Sequence, residues 1–280
     1  MKQLKGKVAA VTGAGSGIGR ALAVALAREG CDLALSDINE TGLNETVTQV
    51  SAIGVRVHAQ RLDVADRDAV YAWADNVARE LGKVNLVFNN AGVSVSETVE
   101  AIGYDNFEWL MNINFWGVVY GSKAFLPHLK AAGEGHIINI SSVFGMIGVP
   151  TQSAYNAAKF AVKGFTECLR EEMAIAGYPI NVTCVHPGGI KTNIVRSSRI
   201  GDVGNMGPSE KAQAAKMFDA MAKTSPEEAA RVILGGVKKD RPRVLIGFDA
   251  RVIDRMQRML PTGYQRLLIW GAKRNQRKAG

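Results

Sequence analysis

The segment "SAYNAAKF" (Ser153–Phe160) sets a phenol and an ammonium group four residues apart, at Tyr155 and Lys159. On a helix, residues at that spacing share a face. A tyrosine at its ordinary pKa of about 10 is a poor base near neutral pH. A neighbouring ammonium favours the phenolate, and a phenol tuned this way can exchange a proton with an alcohol or carbonyl oxygen. Ala157 and Ala158 keep the face uncrowded. Taken alone, the pair fits a plain amphipathic helix equally well. It has company, however: "IINISS" ends in Ser142, thirteen residues before the tyrosine, where a hydroxyl at a strand end could hold a substrate oxygen.

The elements that must position these groups follow from the hydrophobic pattern. "VAAVTG", "DLALSD", "VRVHAQRLD", "VNLVFNNAG", "HIINISS", "INVTCVHPGG" and "RVLIG" read as strands. Gly17–Gly30, Asn39 to Ile53, Asp66–Leu81, Tyr104–Ala131 and Ser153–Gly177 read as helices. Acidic residues open the third of these, as suits a helix N-terminus. This alternation implies an α/β fold, a doubly wound parallel sheet of Rossmann type. The strands are continuous apolar runs, as expected of a sheet covered on both faces. With 280 residues, no repeats and no long linker, the chain reads as one domain over 1–247 with an extension over 248–280. No apolar run approaches a membrane span, the N-terminus enters a strand directly, and the three cysteines are scattered, which points to the cytoplasm. The four histidines have no metal-ligand spacing and read as buried or incidental, so no metal is expected.

Between the first strand and the first helix lies "TGAGSGIG" (Thr12–Gly19). Its spacing departs from GxGxxG and follows TGxxxGxG. Glycines let the backbone turn tightly and approach a pyrophosphate, which then sits on the helix N-terminus. Gly13, Ser16, Gly17, Ile18 and Gly19 are therefore candidate dinucleotide contacts. Asp37 ends the second strand, where a carboxylate accepts hydrogen bonds from ribose hydroxyls and repels a 2′-phosphate. Ile38 follows it and Ser16 is uncharged, which favours NAD over NADP.

TGxxxGxG, "NNAG" (Asn89–Gly92), the serine–YxxxK set and "HPGGIKT" (His186–Thr192) stand in the order and spacing of the short-chain dehydrogenase/reductase family, which the chain resembles over roughly residues 5–247. The resemblance implies that Tyr155 is the acid/base, that Lys159 lowers its pKa and holds the nicotinamide ribose, and that Ser142, rather than Ser141, positions the reacting oxygen. It implies that Asn114, rather than Asn112, bends a long helix and anchors a proton-relay water. Asp63 and Val64 would meet the adenine. Asn90, Ala91 and Gly92 would line the adenosine ribose side, and Pro187, Gly188, Ile190 and Thr192 the nicotinamide amide. It further implies a homodimer or homotetramer built through the long helices.

Substrate residues must come from the loops beyond the strand ends, and here they are apolar: Val143, Phe144, Met146, Ile147 and Val149, then Ile194, Val195, Ile200, Met206, Met217, Phe218 and Met221 in a glycine-containing insert that reads as a lid. A lipophilic secondary alcohol or ketone is expected. An NADP-dependent carbonyl reductase and a non-catalytic dinucleotide-sensing scaffold are the alternatives. The net charge is +8; Lys238 to the end holds 12 Lys and Arg against 3 Asp and Glu, so this last stretch, which includes the extension, carries the whole excess. Its stretch "ARVIDRMQRML" is a basic amphipathic helix, with Arg251, Arg255 and Arg258 beside Val252, Met256 and Met259. Packing over the cleft or a partner subunit and contact with an anionic membrane surface both fit. Nucleic-acid binding has only charge behind it.

Overall fold

The computed structural model describes residues 1–204 and 211–279. The first half runs β1 (Val8–Thr12), α1 (Gly17–Arg28), β2 (Asp32–Asp37), α2 (Glu40–Ser51), β3 (Val57–Arg61), α3 (Arg67–Leu81), β4 (Leu86–Asn89), β5 (Val95–Ser96), α4 (Tyr104–Met111) and, after a π-helical turn, α5 (Gly117–Ala131). The second half runs β6 (Gly135–Ile140), α6 (Ser153–Ile175), β7 (Ile180–Pro187), β8 (Arg199–Ile200), α7 (Lys211–Met221), α8 (Pro226–Lys238), β9 (Arg243–Ile246), α9 (Phe248–Met259) and α10 (Tyr264–Ala279).

Seven strands make one sheet in the order β3-β2-β1-β4-β6-β7-β9, every pair parallel. This is the Rossmann-type doubly wound sheet. The chain leaves β1 toward β3 on one side and returns to β4 on the other, so the switch of direction lies between β1 and β4. In such sheets that crevice, at the carboxyl ends of the strands, is where ligands bind. The apolar runs behave as their composition requires: β1, β4 and β6 are buried at every residue. β3, "VHAQR", is half-exposed because it is an edge.

Two apolar layers cover the sheet. Leu22, Leu26, Leu33, Leu35, Ile233 and Ile246 form one beneath α1 and α8. Trp73, Phe125, Leu129, Ile137 and Val182 form the other beneath α3, α5 and α6. Trp73 meets Phe125 edge-on, with centroids 5.1 Å apart. Asn39 and Asp66 cap α2 and α3 through bonds from Gly42 and Ala69 N–H, and Ser225 caps α8 ahead of Pro226. A buried polar chain ties the strand ends together. Asn89 Nδ2 donates to Asn139 Oδ1 at 2.8 Å and to Ser122 Oγ at 3.1 Å, and Asn139 Nδ2 donates to Thr166 Oγ1 at 3.0 Å.

Three features depart from the sequence reading. The helix expected over Tyr104–Ala131 is interrupted at Asn112–Trp116 by the π turn. A small parallel pair, β5 with β8, ties the insert after β7 to the segment after β4. In that insert, α7 buries none of its residues, while Met206 and the middle of the glycine-rich stretch lie outside the described residues.

Candidate active site

The loop after β1 is shaped by close backbone approach. Gly13 and Gly17 have φ of +66° and +50°, the left-handed region that glycine enters freely. A Cβ on Gly19 would lie 2.0 Å from the Gly13 carbonyl oxygen. Asn90 caps this turn from β4: its Nδ2 donates to the Thr12 and Gly13 carbonyls at 2.9 and 3.2 Å. Thr12 answers, its Oγ1 accepting from the N–H of Asn90 and Ala91 at 3.0 and 3.1 Å. Across the crevice the Thr192 methyl stands 3.1 Å from where a Gly17 Cβ would be. Ser16 is the extended residue before α1 and Ile18 lies in that helix's first turn, so both sit at its N-terminus.

Asp37 sits beside this loop. One of its oxygens accepts from Gly15 N–H and the other from Asn39 N–H, both at 2.8 Å. Arg20 is the nearby cation, and it is already committed: it donates to the Gly15 and Gly42 carbonyls and pairs with Glu45 at 2.7 Å. Val64 is buried against Gly117, and the exposed Asp63 accepts from Ala65 N–H at 2.9 Å. These two form the far rim of the crevice.

At the other end of the crevice, Ser142, Tyr155, Lys159 and Asn114 converge. Ser142 opens a short turn after β6 and accepts from Phe144 N–H at 3.1 Å; its hydroxyl lies close enough to the Tyr155 phenol to favour the phenolate. Ser141 is used differently, donating to the Lys159 carbonyl at 2.8 Å. Asn114 is buried in the π turn. Its Oδ1 accepts from Val93 N–H and its Nδ2 donates to the Val93 carbonyl, both at 2.8 Å. Asn112 is exposed. A π turn is a frequent mark of functional positions, and here it turns Asn114 inward. A Cβ on Gly92 would stand 3.2 Å from Asn114 Oδ1 and 3.6 Å from Lys159 Nζ, so the glycine keeps the space between them open.

The electrostatics correct one expectation. Burial pushes the Tyr155 phenol up to about 12, opposed only by the Ser142 hydroxyl. Burial also pulls the Lys159 ammonium down to about 8. Both groups lie in the same desolvated cleft, and desolvation disfavours each charged form. Lys159 Nζ donates to the Ile140 carbonyl at 3.0 Å and lies 5.6 Å from the centre of the tyrosine ring. Among the protein's own groups, then, the lysine does not bring the phenol below its ordinary range.

The walls of the cleft are held by residues that sequence reasoning did not single out. Asn156, on α6, donates to the Phe144 and Ile147 carbonyls at 2.7 Å each and accepts from Val149 N–H at 3.1 Å. From the other side the Tyr264 hydroxyl accepts from Gly148 N–H at 3.0 Å. The loop after β7 has a similar pin: Asp249 Oδ2 accepts from Gly189 N–H at 2.7 Å. A Cβ on Gly188 would strike that carboxylate at 2.2 Å. Pro187 ends β7, Gly188 N–H donates to the Ile246 carbonyl at 3.0 Å, and the buried Ile190 bridges to Thr224. The extension thus packs on the cleft through the starts of α9 and α10. Nothing in a lone Asp or Tyr of the tail marks it for this; the polar side chain at position 156, inside a helix start otherwise made of small residues, was the one available signal. Of the apolar loop residues, Val143, Met146 and Ile147 are buried in the fold. Phe144 meets the Tyr155 ring edge-on at 6.0 Å, and Val149 is partly exposed. Thr151, at the same mouth, holds φ +68°, a strained setting for a β-branched residue of the kind that clusters at working sites.

Comparison with known proteins agrees with this geometry. The family model for short chain dehydrogenase matches residues 7–202. SadH of Mycobacterium tuberculosis, named as an oxidoreductase, is 50% identical over 272 residues, covering 97% of each chain. Human estradiol 17-beta-dehydrogenase 11 is 29% identical over 270 residues, 95% of this chain and 83% of that one. The solved short chain dehydrogenase/reductase from Burkholderia phymatum, in complex with NAD, superposes with a TM-score of 0.84 at 30% identity, over 93% of this chain and 95% of that one. The chain therefore belongs to the short-chain dehydrogenase/reductase family, oxidoreductases that act on CH–OH groups with a nicotinamide cofactor.

Proposed function

We propose that this protein is an NAD-dependent dehydrogenase of lipophilic secondary alcohols, with Tyr155 as acid/base. The observation that carries the reading is the junction of Tyr155, Ser142 and Lys159 at one end of a crevice whose other end is the glycine loop and Asp37. The crevice suits a dinucleotide on its own terms: the turn at Gly13–Gly19 leaves no room for Cβ atoms, and α1 presents its N-terminus there. Gly13, Ser16, Gly17, Ile18, Gly19, Asp37, Asp63, Val64 and Asn90–Gly92 would hold the adenosine and phosphates. Pro187, Gly188, Ile190, Thr192 and Lys159 would hold the nicotinamide end. When bound, an oxidised nicotinamide supplies the hydride acceptor and a positive charge. The substrate oxygen is held between the Ser142 hydroxyl and the phenol. Tyr155 takes its proton, and the Lys159 ammonium beside it supports the phenolate that results. In reverse, the phenol held protonated by burial is the form that donates to a carbonyl oxygen. Asn114 keeps the Val93 turn closed around the lysine.

NAD is favoured because Asp37 stands at the ribose end and Arg20 is tied to Glu45. Phe144 and Val149 at the mouth, with Met217 and Met221 exposed on α7, favour an apolar substrate; the name of the human relative is in keeping with a steroid-sized alcohol. Exposed Trp116 and Phe160 on the long helices favour a homo-oligomer. The chain would work in the cytoplasm, its three cysteines unpaired. Among the described residues no helix is long and apolar enough to cross a membrane. The outer face of α10 sets Leu267, Ile269 and Trp270 among Arg266, Lys273 and Arg274, which favours contact with an anionic membrane surface. A cofactor-reduction assay with lipophilic alcohols, run against Tyr155→Phe, tests the chemistry.

A further inference from the structure

Strand β9 is the outer edge of the sheet. Between it, α8 and α9 lies a groove of about 550 Å³. Its walls carry Arg231, Lys239, Arg241, Arg243, Arg251 and Arg255 against a single carboxylate, Asp254. That carboxylate is nearly buried and already shared by Arg243 and Arg258. Arg231 has only Glu228, at 3.5 Å. Among the described residues Lys239, Arg241, Arg251 and Arg255 enter no ion pair. Burial, and then the neighbouring Arg258, push the Arg243 guanidinium down, as expected where positive charge is concentrated. A concave wall of one sign focuses its field and draws counter-charge. Guanidinium forks match phosphate oxygens in particular.

The surface beside the groove narrows the choice of anion. On α9, Arg251, Arg255 and Arg258 form one row, and Phe248, Val252 and Met259 form the next. Those three apolar side chains are 81%, 45% and 80% exposed. A soluble phosphate would leave that stripe in water. A second copy of the chain, related by a two-fold axis, would set the arginine row against itself. A phosphate headgroup lying over acyl chains satisfies the cations and the stripe together.

We propose that the groove between α8, β9 and α9 is a headgroup site for an anionic phospholipid, with Phe248, Val252 and Met259 entering the acyl boundary. This rests on the reading of the tail as membrane-facing and names where the lipid is held. The site is separate from the cleft pins of the same extension, so headgroup binding and turnover are measured independently.

The test is co-sedimentation of the full-length protein with vesicles of equal parts phosphatidylcholine and phosphatidylglycerol, and with pure phosphatidylcholine. The groove variant is Arg241→Glu with Arg255→Glu. Its charge-matched control is Arg79→Glu with Lys83→Glu, both exposed at the end of α3, on the opposite face of the sheet from α8. The proposal expects binding to the anionic vesicles only, weakened more than about tenfold in the groove variant and left within about twofold in the control. Glycerol 3-phosphate at constant ionic strength should compete. Turnover of a soluble alcohol should be unchanged in both variants, which shows that they fold. Equal loss in both variants would mean diffuse charge, overturning the groove site while leaving the membrane reading standing. No binding of the wild type to anionic vesicles would overturn that reading. In that case, failure of glycerol 3-phosphate to bind the free protein would overturn the groove as well. Preference for a single-stranded DNA oligomer over vesicles would also contradict the proposal.

Discussion

The Lys159 ammonium donates to the Ile140 carbonyl, 3.0 Å away, on the strand that delivers Ser142. The bond fixes the lysine between strand end and phenol, and burial lowers its pKa to about 8. Lys159→Met should leave the fold intact and cut kcat for alcohol oxidation by about 10²-fold or more, the usual scale of proton-transfer assistance. The limb of the pH–rate profile near pH 8 should disappear with it. An unchanged profile in the variant would show that Lys159 does not titrate in the catalytic range.

Asp37 accepts from two backbone N–H groups and faces the glycine loop. Asp37→Ser with Ile38→Arg removes the carboxylate and supplies a cation for a 2′-phosphate. The ratio of Kd for NAD to Kd for NADP should rise at least about tenfold, roughly one charge-assisted hydrogen bond. Fluorescence titration with the two cofactors measures it. A ratio that stays put would place the ribose elsewhere.

The two tail pins should separate by kinetic parameter. Asp249→Ala hands the Gly189 N–H to water and frees the loop, a loss of roughly 1.5 kcal/mol for a hydrogen bond to a charged group. KM for NAD should rise about tenfold while KM for the alcohol stays near its original value. Tyr264→Phe keeps the ring and loses only the bond from Gly148 N–H. It should raise KM for the alcohol about fivefold, on roughly 1 kcal/mol, and leave KM for NAD alone. A merely structural tail would move both constants together.

His136 and His186 are fully buried, and burial lowers their pKa values to about 3 and about 4. Each binds its proton in the unfolded chain first, near pH 6.5. Their contribution is complete above that pH and is lost as pH falls toward the folded values. Between about pH 6 and pH 4, stability should drop by about 1.4 kcal/mol per pH unit for each histidine. Urea melts across that range check this, and His186→Asn should halve the slope.

Much of this was written in the order of residues. Strands buried on both faces must be apolar throughout, so β1, β4, β6 and β7 stood out, and the glycine loop could be placed at the end of β1 without a structure. Tyr155, Ser142 and Lys159 were readable because their spacing on one helix and one strand end is local. The β5–β8 pair was not, since two residues have no period and their pairing depends on a contact between Val95 and Arg199 far along the chain. The bend at Asn114 was implied by resemblance alone, and its π form was not implied at all; no propensity distinguishes a π turn from ordinary helix. The pins at Asp249 and Tyr264 were hidden for the same reason as β5–β8. Their partners, Gly189 and Gly148, offer only backbone N–H groups, which every residue but proline carries. The direction of the tyrosine's pKa was misjudged because sequence shows the neighbouring charge but not the depth of burial.

The most direct measurement of the central claim is cofactor reduction by the purified protein with lipophilic secondary alcohols, with NAD and NADP in parallel and Tyr155→Phe alongside. The account predicts turnover with NAD, at least about tenfold weaker turnover with NADP, and a loss of about 10²- to 10⁴-fold in the Phe variant. Turnover that survives Tyr155→Phe, or NAD binding with no turnover of any alcohol in the panel, would contradict it.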